Sequence, residues 1–250
     1  MKMGLSISVV VASLVLTGAA IAQSSPAFAV ATIRPTLEEV KFERDGATQI
    51  TPGNLHMRDV TLVYCIEWAY NVQEKQVSGP DLLRSERYDI RAKADGLASE
   101  DEMRLMMRQL LADRFKFSFH RESREMKAFA LTVAPTGSKM KESAPGTTPH
   151  RENTAYTTIA KAMTMQEFAD FLAAPMETPM VDQTGLKGRY DFLLDFRPYL
   201  PVVDRPLGLD DFLGAMQAAL EGQLGLKLER LNKMPIEVLV VDHLEKPSEN

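Results

Sequence analysis

The chain repeats itself, and a repeat restricts it to folds that can be written twice. Arg87-Tyr88-Asp89-Ile90 returns as Arg189-Tyr190-Asp191-Phe192, an offset of 102. Val60-Thr61-Leu62 aligns with Met163-Thr164-Met165 at an offset of 103. Phe115-Lys116-Phe117-Ser118-Phe119 aligns with Leu224-Gly225-Leu226-Lys227-Leu228 at 109, and the same offset carries Phe129-Ala130-Leu131 onto Val238-Leu239-Val240. One shared tetrapeptide arises easily by chance. Matches that keep the same order along the chain point to a duplicated unit.

Each unit reads alike. A first helix opens at Thr61 or Thr164, and Thr164 with Glu167 makes a capping box that satisfies two orphan N–H groups. Leu62, Ile66, Ala69 and Tyr70, and in the second copy Met165, Phe168, Phe171 and Leu172, fall on one helical face. Short extended segments follow at Gln76-Val77 and Met180-Val181, then strands on residues 88–92 and 190–194. A second helix begins behind the box Ser99-Glu100-Asp101-Glu102, with Met103, Met106, Met107, Leu110 and Leu111 as a core stripe. Its counterpart runs from Asp210 to Leu220 and stops near Gly222 and Gly225. A β-hairpin is expected to close each unit. Phe117 and Phe119 would return through a charged turn at residues 121–125 to Phe129, Leu131 and Val133. Leu226 and Leu228 would return through Asn232-Lys233 to Ile236, Val238 and Val240.

The expected organisation is a signal peptide (1–22), an N-terminal strand and lead-in (23–46), a first repeat (47–134), a linker (135–153) and a second repeat (154–250). The stretch 197–207, with three prolines, reads as an insertion in the second repeat. The fold class is α+β: two similar helix-on-antiparallel-sheet lobes from an internal duplication.

The start of the chain predicts export. Lys2 is a short positive region, Gly4 to Leu16 is almost wholly apolar, and Ala20-Ile21-Ala22 is an A-x-A cleavage site that puts the mature start at Gln23. The expected location is the periplasm or the medium, with membrane contact only through the signal peptide before cleavage. A formal charge of −5 disfavours a nucleic-acid partner. One cysteine allows no internal disulfide, and Cys65, inside an apolar run, reads as a core thiol. Four scattered histidines give no local metal site, and no cofactor is expected.

No zinc-protease, nucleophile-elbow, phosphate-loop or Cys-x-x-Cys motif is present. The candidate residues are therefore the repeated Arg87, Tyr88 and Asp89 with Arg189, Tyr190 and Asp191, together with Asp182, Thr184 and Gly185. Asp182-Gln183-Thr184-Gly185 is an aspartic-protease Asp-Thr-Gly broken by one extra residue, and it reads more simply as a turn with Gly185 at positive φ. Asp89 and Asp191 read as acids that tie a turn or pair with an arginine. Tyr88 and Tyr190 should pack on a helix of their own lobe.

Several segments resemble a family of secreted soil-bacterial proteins of unknown function, often labelled soil-associated proteins. They are residues 28–35 (Phe-Ala-Val-Ala-Thr-Ile-Arg-Pro), 85–90, Leu111-Ala112-Asp113-Arg114-Phe115, His120-Arg121-Glu122, Val181 to Leu186, and the stretch from Asp242. The chain departs from that family at Met126-Lys127-Ala128, where relatives place a proline and apolar residues. The resemblance implies no catalytic residues. In some relatives a similar domain is attached to membrane metallopeptidases of the antibiotic-sensor type, which implies sensing or binding outside the cytoplasm. The order of elements is also distantly similar to short N-terminal domains of secretins and TonB-dependent receptors, a likeness of fold alone. The expectation is a non-enzymatic binding or sensing module of the cell envelope, its partner an envelope protein, peptide or other ligand. The alternative is a hydrolase with an acidic site built from Asp89, Asp182, Arg189 and Asp191 between the lobes.

Overall fold

Three polar side chains set where the main helices begin. In this computed structural model, which describes residues 26–36 and 46–247, Thr61 accepts from the Tyr64 N–H at the head of α1 (Leu62–Tyr70). Ser99 and Glu102 close a reciprocal box ahead of α3 (Glu100–Phe115), and Thr164 and Glu167 do so ahead of α4 (Met165–Ala173). A cap of this kind is worth about 1 kcal/mol. The expected signal segment and its cleavage point lie outside the described residues.

The two halves run through their elements in one order. The first has β1 (Val30–Pro35), β2 (Ala47–Thr51), β3 (Asn54–Thr61), α1, β4 (Val77–Ser78), a short α2 (Leu82–Ser85), β5 (Arg87–Lys93), α3 and β6 (Ser118–Val133). The second has β7 (Lys141–Glu142), β8 (His150–Asn153), β9 (Thr157–Met163), α4, β10 (Met180–Asp182), β11 (Tyr190–Asp195), α5 (Leu209–Ala219) and β12 (Leu226–His243). Their antiparallel sheets are ordered β1-β5-β3-β2 and β7-β11-β9-β8. The fold is α+β, as the periodicities predict. Residues 135–153, expected to be a linker, instead supply β7 and β8 to the second sheet. Among the described residues no helix is long and apolar enough to cross a membrane.

The expected hairpins do not form. β6 and β12 are each one unbroken strand, and they pair with each other in a third sheet ordered β10-β6-β12-β4. Tight hairpin turns need residues at positive φ. None of residues 121–125, nor Asn232 or Lys233, has one. Their charges pair instead: Arg121 with Glu237, Arg124 with Glu122, and Lys233 with Glu125.

The result is an exchange of strand ends between halves. Phe117, just ahead of β6, and Phe119 of β6 join the first core together with Leu239 and Val241 of β12. Leu226 and Leu228 of β12 join the second core together with Phe129, Leu131 and Val133 of β6. The short strands follow suit, since β4 lies parallel to β12 and β10 lies parallel to β6. Between the cores the middle of β6 is exposed on both faces, which is why the chain is charged there.

Candidate functional site

The repeated Arg-Tyr-Asp does the same work in both halves. In β3, the four residues from Met57 to Val60 stand opposite three of β5, Tyr88 to Ile90, and the bulge places Asp59 at φ 53°. In β9, the four residues from Ala160 to Met163 stand opposite three of β11, Tyr190 to Phe192, and Ala162 sits at φ 48°. Positive φ is strained for a residue with a Cβ and persists where surrounding bonds hold it. Here the Asp59 N–H donates to Asp89 Oδ1 at 2.9 Å, and an Arg87 guanidinium nitrogen donates to the Asp59 carbonyl at 2.8 Å. In the other half the Ala162 N–H donates to Asp191 Oδ1 at 3.0 Å, and Arg189 donates to the Ala162 carbonyl at 2.5 Å.

Edge strands complete each clamp. The Thr36 N–H donates to the Arg87 carbonyl at 2.9 Å and its hydroxyl to Asp89 at 3.4 Å. Ser143 repeats both bonds, to the Arg189 carbonyl at 2.8 Å and to Asp191 at 2.5 Å. With the Ala162 N–H and Lys161 added, these bonds hold the Asp191 carboxyl down at about 2. Sequence comparison misses the Thr36–Ser143 equivalence because the residues differ and the loops between differ in length.

The tyrosine between Arg and Asp points inward. Tyr88 is 1% exposed and meets Phe115 of α3 edge-on at 5.3 Å between ring centres, and its hydroxyl has no hydrogen-bond partner. Burial raises its phenol above the usual value. Tyr190 is half-buried against the second core. Asp182 accepts from the N–H and hydroxyl of Thr184 at 2.9 and 2.7 Å, Thr184 in turn accepts from the Leu186 N–H, and Gly185 takes φ 71°. That is a locally closed turn. Asp89, Asp182 and Asp191 lie on three different sheets, and no hydrogen bond or ion pair joins any two of them or Arg189 among the described residues.

A cleft of about 740 Å³ does separate the lobes, lined by Arg104, Arg108, His150, Glu167, Asp170 and Phe171. None of the nominated acids faces it. Burial raises the Asp170 carboxyl, and its two oxygens accept from Asn71 and Gln166. Arg104 and Arg108 donate to the Trp68 and Ala69 carbonyls at the end of α1, so they cap that helix.

The larger concavity, about 920 Å³, is the solvent face of the first sheet. Strand alternation sends Leu55, Met57, Tyr88 and Ile90 inward and leaves Arg34, His56, Arg91 and Lys93 outward. Register aligns Thr32, Arg91, His56 and Gln49 in one rung across four strands. Arg91 Nε donates to His56 Nε2 at 3.3 Å. Burial, then Arg91 and Arg58, lower the His56 pKa, which keeps the ring neutral and able to accept that bond.

The pattern of a family described as "Protein of unknown function (DUF3738)" matches residues 63–244. The chain belongs to the DUF3738 family. It matches no curated protein and no solved structure. The DUF3738 match begins after β1, β2 and β3, so most of the lining of the first-sheet concavity comes from residues outside it, and only Asp89, Arg91, Ala92 and Lys93 come from within.

Proposed function

We propose that this DUF3738 chain is an exported, non-catalytic binding module of the cell envelope whose ligand lies on the solvent face of β1-β5-β3-β2. The observation that carries the reading is a division of labour. The acids of the repeated motif spend Oδ1 on holding bulges, whereas the Arg91–His56 rung is oriented and open. Conserving a scaffold in both halves and leaving one solvent face free to specialise is how a binding surface is mounted on a rigid frame. The common order of elements supports an origin by duplication, and Lys2, the apolar run and Ala20-Ile21-Ala22 support export.

The test uses the full-length protein expressed in its own host. Mass spectrometry should find Gln23 at the N-terminus of the exported form, and an intact Met1 there would overturn export. The exported protein should retain a component of the envelope fraction that the Arg91→Glu variant does not. Equal retention by both would remove the ligand from this face. An activity lost in a folded Asp191→Asn protein would restore the hydrolase reading.

A further inference from the structure

The two outer sheet faces sit on equivalent scaffolds and differ at matched positions. Relative to the Arg-Tyr-Asp motif, Arg91 and Leu193 each stand two residues beyond the aspartate. His56 and Ile159 each stand three residues before the positive-φ residue of the bulge. Arg91 faces His56 across the strands, and Leu193 faces Ile159. Leu193 is 55% exposed and Ile159 40%. At these matched positions one face carries Arg and His and the other Leu and Ile, within a chain whose overall charge is −5.

On the basic face Arg34 of β1 stands opposite Asp89, Arg91 lies two residues along β5, and Lys93 two further. Diagonal neighbours on adjacent strands are about 7–8 Å apart. The cations therefore form a row along two strands, suited to several negative charges in series. Asp89, the one carboxylate lining the concavity among the described residues, has Oδ1 occupied by the Asp59 N–H and the Thr36 hydroxyl. Beside the cations, Thr32 of β1, Asn54 of β3 and Gln49 and Thr51 of β2 offer hydroxyls and amides. Among the described residues no aromatic ring lines the face, and Val30 is its only large exposed aliphatic side chain. Guanidinium groups pair with carboxylates and phosphates through two parallel bonds, and the neutral donors and acceptors beside them match the hydroxyls that a sugar acid carries and polyphosphate lacks.

We infer that the ligand of the first-sheet face is an acidic, uronate-bearing polysaccharide that lays its carboxylates along Arg34, Arg91 and Lys93 and its hydroxyls on Thr32, Gln49, Thr51 and Asn54. This rests on the proposal that the face is the binding surface. Neutral His56 acts as a positioning residue that holds the Arg91 guanidinium in place.

The experiment measures binding of the exported protein to polygalacturonate, with neutral dextran, polyphosphate and poly-glutamate as comparison polymers. Polygalacturonate should bind, and its affinity should fall as salt rises from about 0.01 to 1 M. Dextran should not bind, and polyphosphate and poly-glutamate should bind more weakly. Arg34→Glu with Arg91→Glu should cost about tenfold or more in affinity, because two charge-assisted contacts become repulsive. Lys227→Glu with Lys233→Glu, an equal charge change on exposed residues of β12, should change it by less than about twofold. Thermal melts confirm that both variants fold, and Arg34→Gln with Arg91→Gln serves as the milder pair. Equal loss in both charge-reversed pairs, or tighter binding of polyphosphate or poly-glutamate, would overturn the inference. If Arg91→Glu abolishes envelope retention while polygalacturonate does not bind, the binding face stands and its ligand class is wrong. If neither measurement responds to Arg91, both fall.

Discussion

Tyr88 separates a structural from a chemical role for the repeated motif. Its ring is 1% exposed and packed edge-on against Phe115, so Tyr88→Ala removes a whole buried aromatic. Large-to-small changes of this size cost about 3–5 kcal/mol. The hydroxyl works in the opposite direction. It is buried without a partner, and an unsatisfied group of that kind costs about 1–3 kcal/mol. The two together put Tyr88→Ala at a net loss of about 3 kcal/mol and Tyr88→Phe at a gain of about 1 kcal/mol. For a chain of this length 1 kcal/mol moves Tm by about 2–4 °C, so the alanine variant should melt roughly 6–12 °C lower and the phenylalanine variant roughly 2–4 °C higher. Tyr190→Ala, at a half-buried ring, should cost about half as much as Tyr88→Ala. Calorimetry on the three variants decides the matter. A Tyr88→Phe protein destabilised by more than about 1 kcal/mol would show that the hydroxyl has a function, and the packing account would be refuted.

Asp191 makes stability depend on acid. Its folded pKa, about 2, lies below the ordinary carboxylate value, so its contribution is complete above that ordinary value and is lost as pH falls toward 2. Asp191→Asn should flatten the fall in Tm over that window, and an unchanged profile would refute the clamp. Thr164→Ala removes the cap of α4 and should cost about 1 kcal/mol by chemical denaturation, with wild-type stability as the refuting result. Gly225→Ala places a Cβ at φ 65° against the Gly137 carbonyl oxygen and should cost more than about 1 kcal/mol, measurable as a lower denaturation midpoint.

Local chemistry was legible in the sequence. Thr61, Ser99 and Thr164 begin helices because caps act over three residues, and alternation on residues 88–92 places Tyr88 inside and Asp89 outside because strand period is fixed. The pairing of β6 with β12 was not legible. Arms of a closed hairpin and arms of exchanged strands carry the same alternating pattern, and only the missing positive-φ residues at 121–125 distinguish them. The clamp was half legible. Its Arg and Asp stand in the sequence as a repeat, but Asp59 and Ala162 share no side-chain chemistry, so what the motif holds is visible only in three dimensions. The basic face was hidden because its cations come from β1 and β5, which are far apart in sequence and each unremarkable alone.

The exchanged strand ends also govern how the chain reaches its native state. His120 of β6 meets Asp242 of β12 across 122 positions, and Thr132 meets Lys227 across 95. Contacts this distant slow folding, because the loop must close before its pairing is rewarded. During synthesis β6 therefore waits, its backbone donors and acceptors open to any passing strand, until nearly the whole chain has emerged. A nascent chain stalled before residue 226 has neither core complete, since each core borrows from the missing strand. Arg121, Glu122, Arg124 and Glu125 occupy the stretch of β6 that no core covers, and charge there is what discourages a waiting strand from pairing with another copy.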